Sequence, residues 1–175
     1  MRLDELSDGR VYVDTNVLYM YLRADTRHLP IIKSFLERMI RGEIEVFVGI
    51  PVLDELAYRL LLARIKDEMG RNPLDVLRED LPGAIRSHGD LIVNAIRQLL
   101  SLPHMTLVGV ETGDSDRMFD NMILQTLLPR DALHLAIMHR LGVGIIASDD
   151  TDFDRIAGLQ RFWVINPPAP NSITG

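Results

Sequence analysis

The sequence predicts an α/β domain, a three-layer α/β/α sandwich built on a mainly parallel central sheet, with extra helices in the middle of the chain. Three observations predict it. Short, continuously apolar runs recur along the chain: VYV at 11–13, VFVGI at 46–50, TLVGV at 106–110 and GIIAS at 144–148. Stretches with helical apolar spacing separate them, and a strand that is apolar on both faces needs helices above and below it. The length, 175 residues with 47% hydrophobic and 25% charged, suits one well-filled core and is short for two. Residues 1–175 are therefore read as a single domain.

Each element follows in order. Val11 to Val13 is a short buried strand, and the NVLYMYLR segment behind it starts a helix. In IIKSFLERMIRG, the residues Ile32, Phe35, Leu36, Met39 and Ile40 share one helical face, and Gly42 marks the stop. VFVGI is a fully buried strand. Pro51 suits the first turn of the next helix, PVLDELAYRLLLARIKDEMG, which Gly70 closes. From Asn72 to Leu102 the helical pattern is punctuated by Pro73, Pro82, Gly83 and Gly89, which predicts two or more shorter helices. Residues 64–106 are accordingly expected as a helical insertion or cap. TLVGV returns to strand. RMFDNMILQTLL is helical, Pro129 starts RDALHLAIMHRLG, and Gly142 ends it. Last come the GIIAS strand, a short DFDRIAG helix, a terminal FWVIN strand and a proline-containing tail. Met20, Met39, Met118, Met122 and Met138 fall at helical spacings among other apolar residues and are read as core.

The chain has no cysteine, which removes disulfide frameworks, thiol enzymes and cysteine-held zinc, and leaves oxygen or imidazole to hold any metal. That fits a reducing cytoplasm. The opening MRLDELSDGR is charged, and no apolar run approaches the roughly 20 residues that span a bilayer. A soluble, cytoplasmic protein without a membrane partner is expected. The net charge of −6 argues against a general nucleic-acid binder unless the acids gather around a cation.

The placement of those acids carries the functional reading. In open α/β sheets, ligands bind beyond the carboxyl ends of the strands. Asp14 directly follows the first strand, and Asp149, Asp150 and Asp152 follow GIIAS. Asp131 lies in the first turn behind Pro129, and Glu55, beside Asp54, lies one turn into the helix after VFVGI. Carboxylates converging on one crevice repel by about 3 kcal/mol per pair at about 5 Å and an effective dielectric near 20, so they either hold protons or surround a cation. A hard divalent ion, Mg²⁺ or Mn²⁺, is the natural counter-ion for such ligands, and it can drive hydrolysis of a phosphodiester. Plainer roles exist for each acid. Asp14 can cap a helix, Asp131 can face a helix dipole, Glu55 can pair with Arg59 at i+4, and the DDTD run can be a solvated turn. His134 and His139 are read as packing residues. Arg59, Arg64, Lys66 and Arg71 form either a basic rim for RNA or an ordinary exposed helix face.

Four segments in this order, VYVDTNVL, PVLDELAYRL with Glu55, PRDALHLAIMHRLG and IIASDDTDF, resemble the PIN-domain ribonucleases, most closely the toxins of VapBC-type toxin–antitoxin pairs. The resemblance runs from about Val11 to Asn166 and departs in the middle, where 64–106 is longer and more helical. It implies a metal site in which Asp14, Glu55, Asp131 and one acid of the DDTD group bind Mg²⁺ or Mn²⁺. SDDTDF puts Asp150 at the acid of the family's last motif, with Asp152 the nearest alternative and Asp149 the third. Asn16 matches the amide that orients the first aspartate, and Ser148 the small hydroxyl residue near the site. The same resemblance implies an endoribonuclease leaving a 5′-phosphate and a 3′-hydroxyl, an RNA substrate, a small antitoxin partner and a homodimer. The alternatives are a housekeeping RNA-processing nuclease and a non-catalytic RNA- or protein-binding module, whose mark would be lost acids. A phosphatase of the haloacid dehalogenase type needs a second aspartate where Asn16 stands.

Overall fold

A computed structural model describes residues 1–164. Five strands, β1 (Gly9–Val13), β2 (Ile44–Gly49), β3 (Met105–Val108), β4 (Ile145–Ala147) and β5 (Gln160–Phe162), form one sheet in the order β3-β2-β1-β4-β5. Every pairing is parallel, so the expected α/β architecture is borne out. Val11, Tyr12 and Val13 of the central strand are fully buried, as a parallel strand covered on both faces must be. Tyr12 aligns with Phe47 on one side and Ile146 on the other.

The helices are α1 (Thr15–Leu22), α2 (Leu29–Ile40), α3 (Ile50–Met69), α4 (Pro73–Leu100), α5 (Thr112–Leu124) and α6 (Pro129–Leu141). From β1 the chain moves outward through β2 and β3, then returns to lay β4 on the opposite side of β1. Right-handed crossovers put α1 to α4 on one face and α5 and α6 on the other. The reversal makes the β1/β4 junction a topological switch point, where connections leave in opposite directions and open a crevice at the carboxyl ends. Asp14 and Ser148 are the residues immediately after those two strands.

Several boundaries depart from the sequence expectation for identifiable reasons. α5 starts at Thr112, five residues before Arg117, because Glu111 and Asp114 form a capping box that ties down an otherwise poor helix-forming stretch. It stops at Leu124, short of Leu128. Thr126 lies in the left-handed region at φ 52°, and Leu128 is held extended by the proline that follows. DFDRIAG is only a 3-10 turn over Thr151–Arg155. In FWVIN, Phe162 ends β5 and Trp163 bridges to Arg2, while Ile165, Asn166 and the tail lie outside the described residues. The N-terminal stretch contributes to the core: Leu3 and Leu6 are buried, and the Leu3 amide donates to the Trp163 carbonyl.

α4 is interrupted at Asp80 (φ −150°, ψ 73°), two residues before Pro82, and Asp80 accepts a hydrogen bond from the Gly83 amide. It is thus two helical segments end to end, as the proline and glycine punctuation predicted. Residues 64–106 make up the end of α3, all of α4 and the start of β3. Of the five methionines read as core, Met39 and Met138 are fully buried, and Met20, Met118 and Met122 pack partly buried at its margin. Among the described residues, no helix is long and apolar enough to cross a membrane.

Candidate active site

An open crevice of about 810 Å³ lies at the switch point, lined by Asp14, Asn16, Glu55, Leu128, Pro129, Arg130, Asp131, His134, Asp149, Asp150 and Thr151. Acids from four separated segments meet there. None of the lining residues comes from 64–106.

Asp14 is held at both oxygens. Its Oδ1 accepts from the Thr15 amide at 2.6 Å, capping α1, and its Oδ2 accepts from the Ser148 hydroxyl at 2.5 Å. The Ser148 hydroxyl in turn accepts from the Asp150 amide at 3.0 Å. Ser148 therefore fixes the Asp14 carboxylate to the turn after β4 from beneath the crevice, fully buried itself. Burial pushes the Asp14 carboxyl up. The Ser148 and Thr15 hydrogen bonds oppose that shift, and the charges of Asp149 and Glu55 add to it.

Asn16 bridges two neighbours: its amide nitrogen donates to Asp149, and its oxygen accepts from Arg59. Arg59 also lies over the Tyr19 ring, 4.4 Å from its centroid, and 3.7 Å from Glu55. Glu55 accepts from the Thr15 hydroxyl at 3.3 Å and pairs with Arg130 at 2.8 Å. The i+4 pairing of Glu55 with Arg59 thus exists and does not remove Glu55 from the crevice.

Asp131, at the third position of α6, has no hydrogen-bond donor or salt-bridge partner among the described residues. Burial first, then the charges of Asp150, Asp14 and Asp152, push its carboxyl up to about 6, with Arg130 opposing. Asp150 caps the 3-10 turn by accepting from the Asp152 amide at 2.8 Å, and faces the crevice. Asp152 does not line it, and pairs with Arg155 at 3.0 Å. Asp149 lines it beside Asn16.

The donor chemistry fits a hard divalent cation. It is all oxygen, spread over several chain segments, and two of its acids are pushed toward protonation, which a nearby cation would reverse. Among the described residues, no group of three or more His, Asp or Glu side chains is arranged to hold a metal ion. Asp14, Glu55 and Asp150 are each occupied by protein donors.

Two features escaped the sequence reading. Arg130 pairs with Glu55 at the mouth of the crevice, and His134 forms part of its wall while almost fully buried. His139 is exposed, which corrects its reading as a packing residue: it faces out near the end of α6. Of the four cations considered as a basic rim, only Arg59 reaches the site. Arg64 pairs with Glu68 and Arg71 with Glu79, while the Lys66 ammonium donates to the Gly70 carbonyl.

The family model of the PIN domain matches residues 11–159. Two curated relatives are each 24% identical over 152 residues, which is 86% of this chain and 98% of theirs: VapC ribonuclease Mb1869c of Mycobacterium bovis and ribonuclease VapC13 of Mycobacterium tuberculosis. Among solved structures, VapBC2 from Rickettsia felis, bound to a DNA fragment from its promoter, superposes with a TM-score of 0.59 at 12% identity. That match covers 89% of this chain and 98% of the other. Mycobacterium tuberculosis VapC20, a sarcin–ricin-loop-cleaving toxin, gives 0.55 at 16% identity, covering 90% and 99%. At these identities the structural likeness speaks to the fold.

Proposed function

The chain belongs to the PIN domain family, and on that premise we propose that it is a metal-dependent endoribonuclease, the toxin of a VapBC-type pair. One observation carries the reading: acids from four separated segments line a single switch-point crevice in which Asp131 has no partner among the described residues and is pushed up to about 6. A half-buried carboxylate without a donor, set among other acids, costs free energy until a cation joins it.

Asp14, Glu55, Asp131 and Asp150 would hold Mg²⁺ or Mn²⁺, with Asp149 and Asp152 the neighbouring alternatives to Asp150. When bound, the ion neutralises phosphate charge and lowers the pKa of a coordinated water. The chain's own residues do the rest. Ser148 and the Thr15 amide fix Asp14, Asn16 ties the turn after β4 to Arg59, and Thr15 holds Glu55. Arg130, with a side chain 55% exposed, stands where it can exchange Glu55 for a phosphate oxygen of incoming RNA.

The names of the two ribonuclease relatives favour the toxin over a housekeeping nuclease, and with the toxin come a small antitoxin partner, a homodimer and a cytoplasmic location. The test is cleavage of end-labelled structured RNAs in Mn²⁺, Mg²⁺ or EDTA, beside Asp14→Asn and Asp131→Asn. Cuts that need the ion and disappear in both variants are expected. A folded wild type that cuts equally well in EDTA would sink the proposal.

A further inference from the structure

Beneath the crevice, His134 is 1% exposed and Tyr12 fully buried. The Tyr12 hydroxyl lies 2.9 Å from His134 Nδ1. A Cβ on Gly49 would stand 2.1 Å from the same hydroxyl, so the glycine makes room for it. Among the described residues His134 Nδ1 is the one hydrogen-bond partner of this buried hydroxyl, so the phenol hydrogen goes there. Burial and the Arg130 charge hold the imidazole down to about 4, so it is neutral at pH 7. A neutral ring that accepts at Nδ1 carries its proton on Nε2.

Among the described residues, that Nε2 is buried without a partner. A buried unsatisfied donor is costly and uncommon in a folded chain. On the same helix, three residues toward the N-terminus, stands the complementary group: Asp131, a carboxyl without a donor. Residues at i and i+3 share a helix face, and Asp131 and His134 both line the crevice. Donor and acceptor each lack what the other supplies.

We propose that the Tyr12–His134 pair is a positioning device for the metal-ligating carboxylates: Tyr12 fixes the imidazole with its proton on Nε2, and Nε2–H donates to the Asp131 carboxylate when that group turns to meet a cation. It rests on the carboxylate-site reading above and adds a residue to it that ligates nothing. The arrangement is that of an outer hydrogen bond that orients a ligand, whose removal weakens a metal site about 10- to 100-fold.

The experiment measures Mn²⁺ affinity calorimetrically on the full chain for wild type, Asp131→Asn, His134→Leu, His134→Gln and Tyr12→Phe, with thermal melts of each. The nitrogen of a glutamine side chain falls near the place of Nε2 and can donate from there. His134→Leu is expected to weaken Mn²⁺ binding about tenfold or more, His134→Gln to restore most of it, and Tyr12→Phe to fall between. Nitrogen-15 NMR of the metal-free wild type should find the proton on Nε2 of His134. A proton on Nδ1, or His134→Leu binding Mn²⁺ as tightly as wild type while Asp131→Asn does not, would overturn the proposal and leave the carboxylate site standing. A folded wild type that binds no Mn²⁺ would overturn both.

Discussion

Asp114 and Asp131 occupy the same position, the third residue, of two helices packed against each other, α5 and α6. The fold treats them in opposite ways. Asp114 is completely buried and fully partnered: it accepts from the Glu111 amide and from Arg140, whose guanidinium also reaches Glu111 and the Gly109 carbonyl. Burial pushes its carboxyl up, but the Arg140 and Glu111 hydrogen bonds outweigh it and hold it below the ordinary range. Asp131 is only partly buried, has no donor and is pushed up. The buried acid is satisfied and the more exposed one is not, so burial alone does not decide which carboxylate is left without a donor.

The largest expected effect sharpens this contrast. Asp131→Asn should reduce metal-dependent cleavage by about 1000-fold, roughly 4 kcal/mol of barrier, and Asp14→Asn similarly. Asp114→Asn should leave cleavage per folded molecule near wild type and destabilise the protein by about 3 kcal/mol, because it strands Arg140 in a pair of which one member is fully buried. Urea unfolding followed by circular dichroism, alongside cleavage rates, separates the two. A catalytic defect in Asp114→Asn at full folding would erase the distinction.

A smaller effect concerns pH in EDTA. Asp131 has a folded-state pKa of about 6 against an ordinary 3.8, so between those values the folded state keeps a proton that the unfolded chain has lost. The contribution of Asp131 is therefore most favourable below about pH 4 and is progressively lost as pH rises through 6. Discounted for partial exposure, the loss is about 1–2 kcal/mol. Asp114, with its lowered pKa, runs the other way: its stabilisation is present above the ordinary carboxylate range and lost as pH falls through its folded value. At pH 7 without metal, Asp131→Asn should raise the midpoint of thermal unfolding by about 3–6 °C, and the gain should vanish near pH 4. A variant no more stable than wild type at pH 7 would mean that Asp131 carries no electrostatic penalty.

The contrast also explains what the sequence could disclose. Asp14, Asp131 and the acids after β4 were legible because strand ends and helix starts have local signatures, and α/β topology brings those places together without knowledge of any side-chain contact. Asp114 was not legible. Its helix was read from Arg117, and its partner lies 26 residues away on α6 with nothing local to link them. His134 is the buried residue that ALHLA announces, but periodicity cannot tell a histidine satisfied at both nitrogens from one satisfied at one. Leu3 and Leu6 form no period at all, and Leu3 is placed by a backbone bridge in which its amide donates to the Trp163 carbonyl and the Trp163 amide to the Met1 carbonyl.

The smallest effects fall within the DDTD run, where partnering again ranks the acids. Asp152 already has Arg155 at 3.0 Å and lies outside the crevice lining, so Asp152→Asn should change cleavage by less than about threefold, the worth of an exposed pair. Asp149 lines the crevice but holds Asn16, so Asp149→Asn, whose amide oxygen still accepts from Asn16, should produce an intermediate defect. Asp150 uses one oxygen to cap the turn, and its charge is the largest electrostatic contribution to the rise at Asp131. Asp150→Asn should therefore approach the loss seen for Asp131→Asn. Cleavage rates and Mn²⁺ affinities of the three variants order them directly. If Asp152→Asn proved the most damaging, the Arg155 pair would have to open on metal binding, and the order of the three acids would be reversed.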